Sequence, residues 1–313
     1  MAALLLVHAL SAAAQAPARI ARLLANGGSA ACDSAFKEGM REHGLIEGRQ
    51  YVLDTRDAEG YYDRFGALTQ ELLKGSPVLI IGSTIAAVRA AQQATRTVPI
   101  LFAGVNDPVG SGLVRNLARP EGNTTGLSNQ SEDLLAKYVE IMREVLPRLK
   151  RVAVLFNPSN GSHPKMLEKL RTTAAGFGIG TQPFAVNSPN DLDAALGAIA
   201  KYRPDALLPI RDAMLNSENK RVVAFALEQR LPTFAGAGSL VRAGSLMSYA
   251  APQLANCRRS AYYVKRILEG AKPAELPVEQ PTTFELVINL KTAKALRITI
   301  PQSVLLRADE VIQ

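Results

Sequence analysis

The run VLIIGSTIAAVRAAQQA, residues 78–94, joins a short apolar segment to a helical repeat through Gly82-Ser83-Thr84. The same unit, an apolar run, a small polar loop and then an amphipathic stretch, recurs along the chain. This recurrence constrains the fold more than any other feature, because strands that alternate with helices must lie parallel, with helices covering both faces of the sheet. Strands are expected at residues 20–25, 51–56, 78–81 and 99–105, and helices at 33–43, 61–74 and 84–94. The rhythm breaks in the Pro- and Gly-containing segment RPEGNTTGLSN, residues 119–129. It resumes with a helix at 132–146, followed by further units through LPTFAG and GSLMSYA and a helix at 253–268.

The expected fold class is therefore α/β: two Rossmann-like lobes joined by a three-segment hinge, with a ligand cleft between them. Residues 17–125 plus about 251–277 form the first lobe, and 126–250 plus about 278–313 the second. A chain of 313 residues is long enough to give each lobe its own core.

Sheets of this kind bind ligands at the carboxyl ends of their strands. The loops there are Asn26-Gly27-Gly28-Ser29, Ser83-Thr84, Asn106-Asp107, Asn157 to Asn160 and Arg211-Asp212. A helix start offers unpaired N–H groups to an anion, so Ser83 and Thr84 suit a carboxylate, although Ser and Thr also serve as plain N-caps. Asp107 and Asp212 either pair with a cationic group such as an ammonium or cap the next helix or turn.

Other chemistries find little support. The balance of 36 basic and 28 acidic residues gives +8, but the charges are dispersed, without the clusters and interleaved aromatics of a nucleic-acid reader. There is no Walker A sequence, no complete G-x-G-x-x-G and no G-x-S-x-G elbow. His43 and His163 stand near no evident nucleophile, so neither an enzyme nor a cofactor is expected. With two cysteines and three histidines there is no metal-ligand spacing.

Residues 1–16 read as a secretory signal peptide, with an apolar run from Ala2 to Leu10 and an Ala14-Gln15-Ala16 cleavage pattern before Pro17. No basic n-region precedes the run. Either the amino terminus supplies the only positive charge, or the start lies upstream. No Cys lies near the cleavage pattern to carry a lipid anchor. Cys32 and Cys257 can pair in only one way, and both a bridge and two buried thiols remain open.

Several stretches, VNDPVGSGLVRNLARPEGNTTGLS, RVAVLFNPSN, AGSLMSYA and the C-terminal GAKPAELPVEQPTTFELVINL among them, resemble the exported substrate-binding proteins of ABC transporters of the tryptophan/tyrosine type. The resemblance covers nearly the whole chain after Pro17. It implies the type I periplasmic-binding-protein fold and a monomeric periplasmic protein. It also implies an aromatic or hydrophobic amino acid, or a related carboxylate, as the small-molecule solute, and an ABC permease and ATPase as partners. A sensory module for a membrane receptor and an exported enzyme on the same scaffold are the alternatives. The ligand-binding set it implies is Asn26, Gly28, Ser29, Ser83, Thr84, Asn106, Asp107, Asn129, Asn157, Asn160, Asp212 and Phe234. The chain departs from amino-acid-binding members where FAGAGSLVRAGSLMSYA lacks an acidic residue and where Asp212 is followed by Ala213 rather than Asn. Both departures weigh against an α-amino-acid ligand.

Overall fold

The computed structural model describes residues 16–313; residues 1–15, on which most of the signal-peptide expectation falls, lie outside the described residues. The first part of the chain holds β1 (Ala18–Leu24), α1 (Ala30–Glu42), β2 (Tyr51–Asp57), α2 (Phe65–Lys74), β3 (Leu79–Gly82), α3 (Ile85–Ala94), β4 (Ile100–Val105) and β5 (Thr124–Ser128). There follow α4 (Leu135–Val145), β6 (Arg151–Phe156), α5 (His163–Ala175), β7 (Gly180–Ala185), α6 (Leu192–Tyr202), β8 (Ala206–Pro209), α7 (Ala213–Ser217) and α8 (Asn219–Glu228). The rest comprises β9 (Phe234–Ala235), α9 (Gly238–Arg242), β10 (Met247–Ala250), α10 (Gln253–Leu268), β11 (Glu285–Asn289), α11 (Leu290–Leu296), α12 (Gln302–Leu305) and β12 (Glu310–Ile312).

Strands β1 to β5 form one parallel sheet in the order β2-β1-β3-β4-β5. Successive side chains point to opposite faces of a strand, and both faces here are apolar. Ile20, Leu79, Ile81 and Leu101 pack with Phe36 and Met40 of α1 and Tyr263 and Val264 of α10. Ala21, Leu23, Ile80 and Phe102 face Phe65 and Leu72 of α2 and Val88 of α3. This is lobe 1.

Lobe 2 is built on β7-β6-β8, continued through a single Leu207–Thr233 bridge into β9-β10-β11-β12. Only the β10–β11 pairing is antiparallel. Its larger core sets Val152, Val154, Ala206 and Leu208 against Tyr138 and Met142 of α4 and Met166 and Leu170 of α5. The type I periplasmic-binding-protein fold expected from the sequence is the one observed.

The chain passes between the sheets three times: after Ser128, after Ala250, and between Glu279 and Glu285. Helix α10 returns to lobe 1, where Gly39 lets it approach α1 closely: a Cβ at Gly39 would lie 2.5 Å from the Arg258 carbonyl oxygen. A Cys32–Cys257 disulfide joins the same two helices, with Cα atoms 5.4 Å apart.

Two local expectations need correction. The segment 119–129, read as a break, contains β5, so the first sheet runs to Ser128 rather than ending near 125. The strand is hidden in sequence because Thr, Gly and Ser form it; it is buried by pairing with β4 and by Glu279, whose carbonyl accepts from Ser128 N. The helix expected over 61–74 opens with a 3-10 turn, Tyr62–Arg64, before α2 begins. Ahead of α8 the chain also forms a short helix, α7, that carries no apolar repeat of its own.

Candidate functional site

The carboxyl ends of β1, β3, β4 and β5 open towards those of β6 and β8. Each loop is first a local structural device. Ser29 caps α1 by accepting from Cys32 N at 3.4 Å, and Thr84 caps α3 by accepting from Ala87 N at 3.1 Å. Asn129 is held at both ends of its amide: Nδ2 donates to Gly104 O at 2.7 Å, and Oδ1 accepts from the backbone and hydroxyl of Ser131. Two buried atoms in these loops have no protein partner, Ser83 Oγ and Asn106 Oδ1.

On the lobe 2 side, Asp212 is 2% exposed and caps α7. Its Oδ1 accepts from Met214 N at 3.0 Å, Leu215 N at 3.2 Å and Asn157 Nδ2 at 3.3 Å. Its Oδ2 accepts from Asn160 Nδ2 at 2.9 Å and from Tyr62 Oη of lobe 1 at 3.0 Å. Burial, and then the Asp212 charge, push the Tyr62 hydroxyl well above its usual pKa, so it remains protonated and donates. His163 is fully buried. Its Nδ1 accepts from Asn157 N at 3.0 Å, which places the proton on Nε2, 3.2 Å from Arg211 O. Burial lowers the His163 pKa and favours this neutral form. The imidazole thus braces the Asn157 and Arg211 backbones, and both its nitrogens are occupied.

The lobes are closed on each other. Besides Tyr62–Asp212, Asn26 Nδ2 donates to Ser217 Oγ at 2.7 Å, Asn106 Nδ2 to Ser162 Oγ at 3.2 Å and Lys165 Nζ to Gly110 O at 3.1 Å. Apolar contact crosses the gap as well, with Ala58 and Tyr62 in one cluster with Leu192 and Met214. Between the lobes lies a cavity of about 500 Å³, within the range of small-molecule sites.

Of the residues singled out in the sequence, Asn26, Gly28, Ser29, Ser83, Thr84, Asn106, Asn129, Asn160 and Asp212 line this cavity. Three do not. Asp107 turns away with φ +32° and accepts from Gly110 N at 2.7 Å, closing the loop after β4. Asn157 is wholly buried behind Asp212, its Oδ1 accepting from Ser159 N at 2.9 Å. Phe234 is a core residue of lobe 2, since β9 directs it into the α4 side of the sheet.

The cavity also takes residues outside that set: Arg211, Asn216, Asn219, Gln253, Asn256, Phe36 and the Cys32–Cys257 disulfide. Arg211 adjoins Asp212 in a loop that the sequence does mark. Gln253 and Asn256 arrive on α10, far along the chain, and carry no local signal. Among the described residues, no group of three or more His, Cys, Asp or Glu side chains is placed to hold a metal ion.

Residues 19–312 match the family model described as ABC transporter substrate binding protein. The chain belongs to this family. Its members bind substrates and are not enzymes. The chain is 23% identical over 261 residues to a tyrosine-binding protein of Clostridioides difficile, covering 83% of this chain and 75% of that one. A conserved domain protein from Vibrio cholerae has a solved structure that is 30% identical, with a TM-score of 0.87, covering 94% of this chain and 99% of that one. A domain from Streptococcus pneumoniae solved in complex with L-Trp is 28% identical, with a TM-score of 0.85 and coverage of 95% and 100%. No helix among the described residues is long and apolar enough to cross a membrane.

Proposed function

We propose that this chain is an exported solute-binding protein that closes its two lobes on a small organic solute and hands it to an ABC permease driven by an ATPase. The observation that carries this reading is the cavity of about 500 Å³ bounded by loops of both lobes, with hydrogen bonds running from lobe to lobe around it. A site assembled from two bodies binds best when they are apposed, so the ligand shifts an open–closed equilibrium by its greater affinity for the closed form. The relatives that bind tryptophan and tyrosine support an aromatic or hydrophobic amino acid, or a related carboxylate, as the solute class. The disulfide supports export to the periplasm, because such bonds persist in oxidising compartments. Ser83, Asn106 and Arg211 are the proposed contacts, and the protein works as a monomer.

The test is a thermal-shift screen of the mature chain against amino acids, aromatic and aliphatic acids and sugars, followed by calorimetry and a turnover assay on any hit. A ligand at 100 times its Kd adds about 2.7 kcal/mol of stability. A raised midpoint without turnover supports the proposal. Conversion of the ligand to a product, or no shift with any solute class, refutes it.

A further inference from the structure

Four charged side chains line the cavity: Arg22, Asp33, Arg211 and Asp212. Arg22 and Asp33 neutralise each other, Nη1 to Oδ1 at 2.6 Å. Asp212 already accepts from five donors, against about four lone-pair sites on a carboxylate. An ammonium approaching it would have to displace the Asn clamp, the α7 cap or the cross-lobe Tyr62 bond. Asp212 is therefore a structural anion and not a free counter-ion.

Arg211 is in the opposite position. Among the described residues no carboxylate forms an ion pair with it, and the one hydrogen bond of its guanidinium is Nη1 to Gly236 O at 3.1 Å. Of its five N–H donors, four have no protein partner. The nearby Tyr138 hydroxyl supplies no counter-charge: burial keeps it protonated, and its single proton is shared between Ala235 O at 2.9 Å and Tyr249 O at 2.6 Å. The side chain is half-buried against the cavity, and this partial loss of water lowers the guanidinium from the usual arginine pKa. A half-buried charge with no partner in the protein carries a desolvation cost, and an anion supplied from the cavity offsets it.

The remaining polar groups facing the cavity are neutral. Ser83 Oγ can donate to an anion. Asn106 Oδ1 is an acceptor whose orientation is settled: Ser162 Oγ donates to Asn160 Oδ1, so it must accept from Asn106 Nδ2. One neutral carbonyl suits a hydroxyl donor but does not replace a carboxylate for a charged ammonium. Phe36 and Ile85 add apolar wall.

We propose that the solute is an organic carboxylate without an amino group, held by an ion pair to Arg211, with room at Asn106 Oδ1 for a hydroxyl. This rests on the solute-binding reading above and narrows its substrate class, because the cleft holds one uncompensated positive charge and no free negative one.

Calorimetry on the mature chain with matched series tests it: phenylalanine, 3-phenyllactate and 3-phenylpropionate; leucine, 2-hydroxy-4-methylpentanoate and 4-methylpentanoate. The hydroxy or plain acid is expected to bind, and the amino acid of the same skeleton to bind about 100-fold more weakly. R211Q is expected to weaken acid binding about 100-fold, the scale of a lost charge-assisted contact. R211K restores part of that loss. Without ligand, R211Q melts no lower than the parent, since it loses an unpaired charge, and this separates loss of binding from loss of fold. Amino acids binding as tightly as their deaminated partners, acid binding unchanged in R211Q, or a neutral solute such as a sugar as the sole ligand each overturn the proposal while leaving solute binding intact. No binding to any amino acid, acid or sugar overturns both.

Discussion

Gly60 offers a direct measure of lobe closure. It follows β2 in lobe 1 with φ +86°, and a Cβ there would sit 2.5 Å from Pro189 Cγ, 2.7 Å from Pro189 Cδ and 3.1 Å from Met214 Cγ, all in lobe 2. The substitution Gly60→Ala therefore has two separable effects. The left-handed backbone costs about 1–2 kcal/mol whether the lobes are open or closed. The clash exists only when they are closed, and overpacking of this kind costs roughly 1–3 kcal/mol. At about 1.4 kcal/mol per tenfold change, the first lowers the melting temperature and the second weakens ligand affinity by about 5- to 150-fold. Small-angle scattering reports the open fraction and calorimetry the affinity. Pro189→Ala removes both proline atoms nearest the new methyl, so the double variant is expected to recover most of the affinity but none of the backbone strain. Wild-type affinity in Gly60→Ala, or no recovery in the double variant, would refute closure through this contact.

Tyr62→Phe removes the cross-lobe bond to Asp212 but leaves four other donors on the carboxylate, so affinity is expected to fall roughly tenfold with little change in unfolding; calorimetry beside urea melts checks this, and a large stability loss at constant affinity contradicts it. The Cys32–Cys257 bond spans 225 residues of sequence, and the chain-entropy treatment puts its contribution near 5 kcal/mol. Reduction should then lower the midpoint markedly, whereas an unchanged melt in reductant argues against that role. His163 is held neutral with its pKa below the ordinary 6.5, so the unfolded chain takes the proton first. That contribution is complete above about pH 6.5 and is lost as pH falls from there towards the lower folded value. Urea midpoints at pH 8, 6 and 5 should drop less for His163→Asn than for the parent, and parallel slopes would contradict the assignment.

Much of the architecture was legible because its determinants are local. Apolar runs mark β1, β3 and β4, and Thr84 announces α3 by capping it. The loops after those strands had to lie at one edge of a parallel sheet, which is why six of the residues singled out there, Asn26, Gly28, Ser29, Ser83, Thr84 and Asn106, line the cavity. β5 was not legible: Thr124 to Ser128 carry no strand pattern and become one through β4 and Glu279. Phe234 shows the same limit, because its residue type suits a ligand wall as well as a core, and only packing against α4 distinguishes them.

By itself the sequence determined the succession of strands and helices, their caps, and the edge on which any site must lie, since each of these follows from residues within a few positions of one another. Tertiary structure decided the chemistry of that edge. Asp212 and Arg211 are neighbours with opposite charges and look equally available in sequence. Yet Tyr62, 150 residues away, and Asn157 and Asn160, over 50 away, converge on the carboxylate, while among the described residues no acid reaches the guanidinium. Whether a charge is spent or free depends on which partners the fold brings within hydrogen-bond distance, and that distance is set by long-range packing.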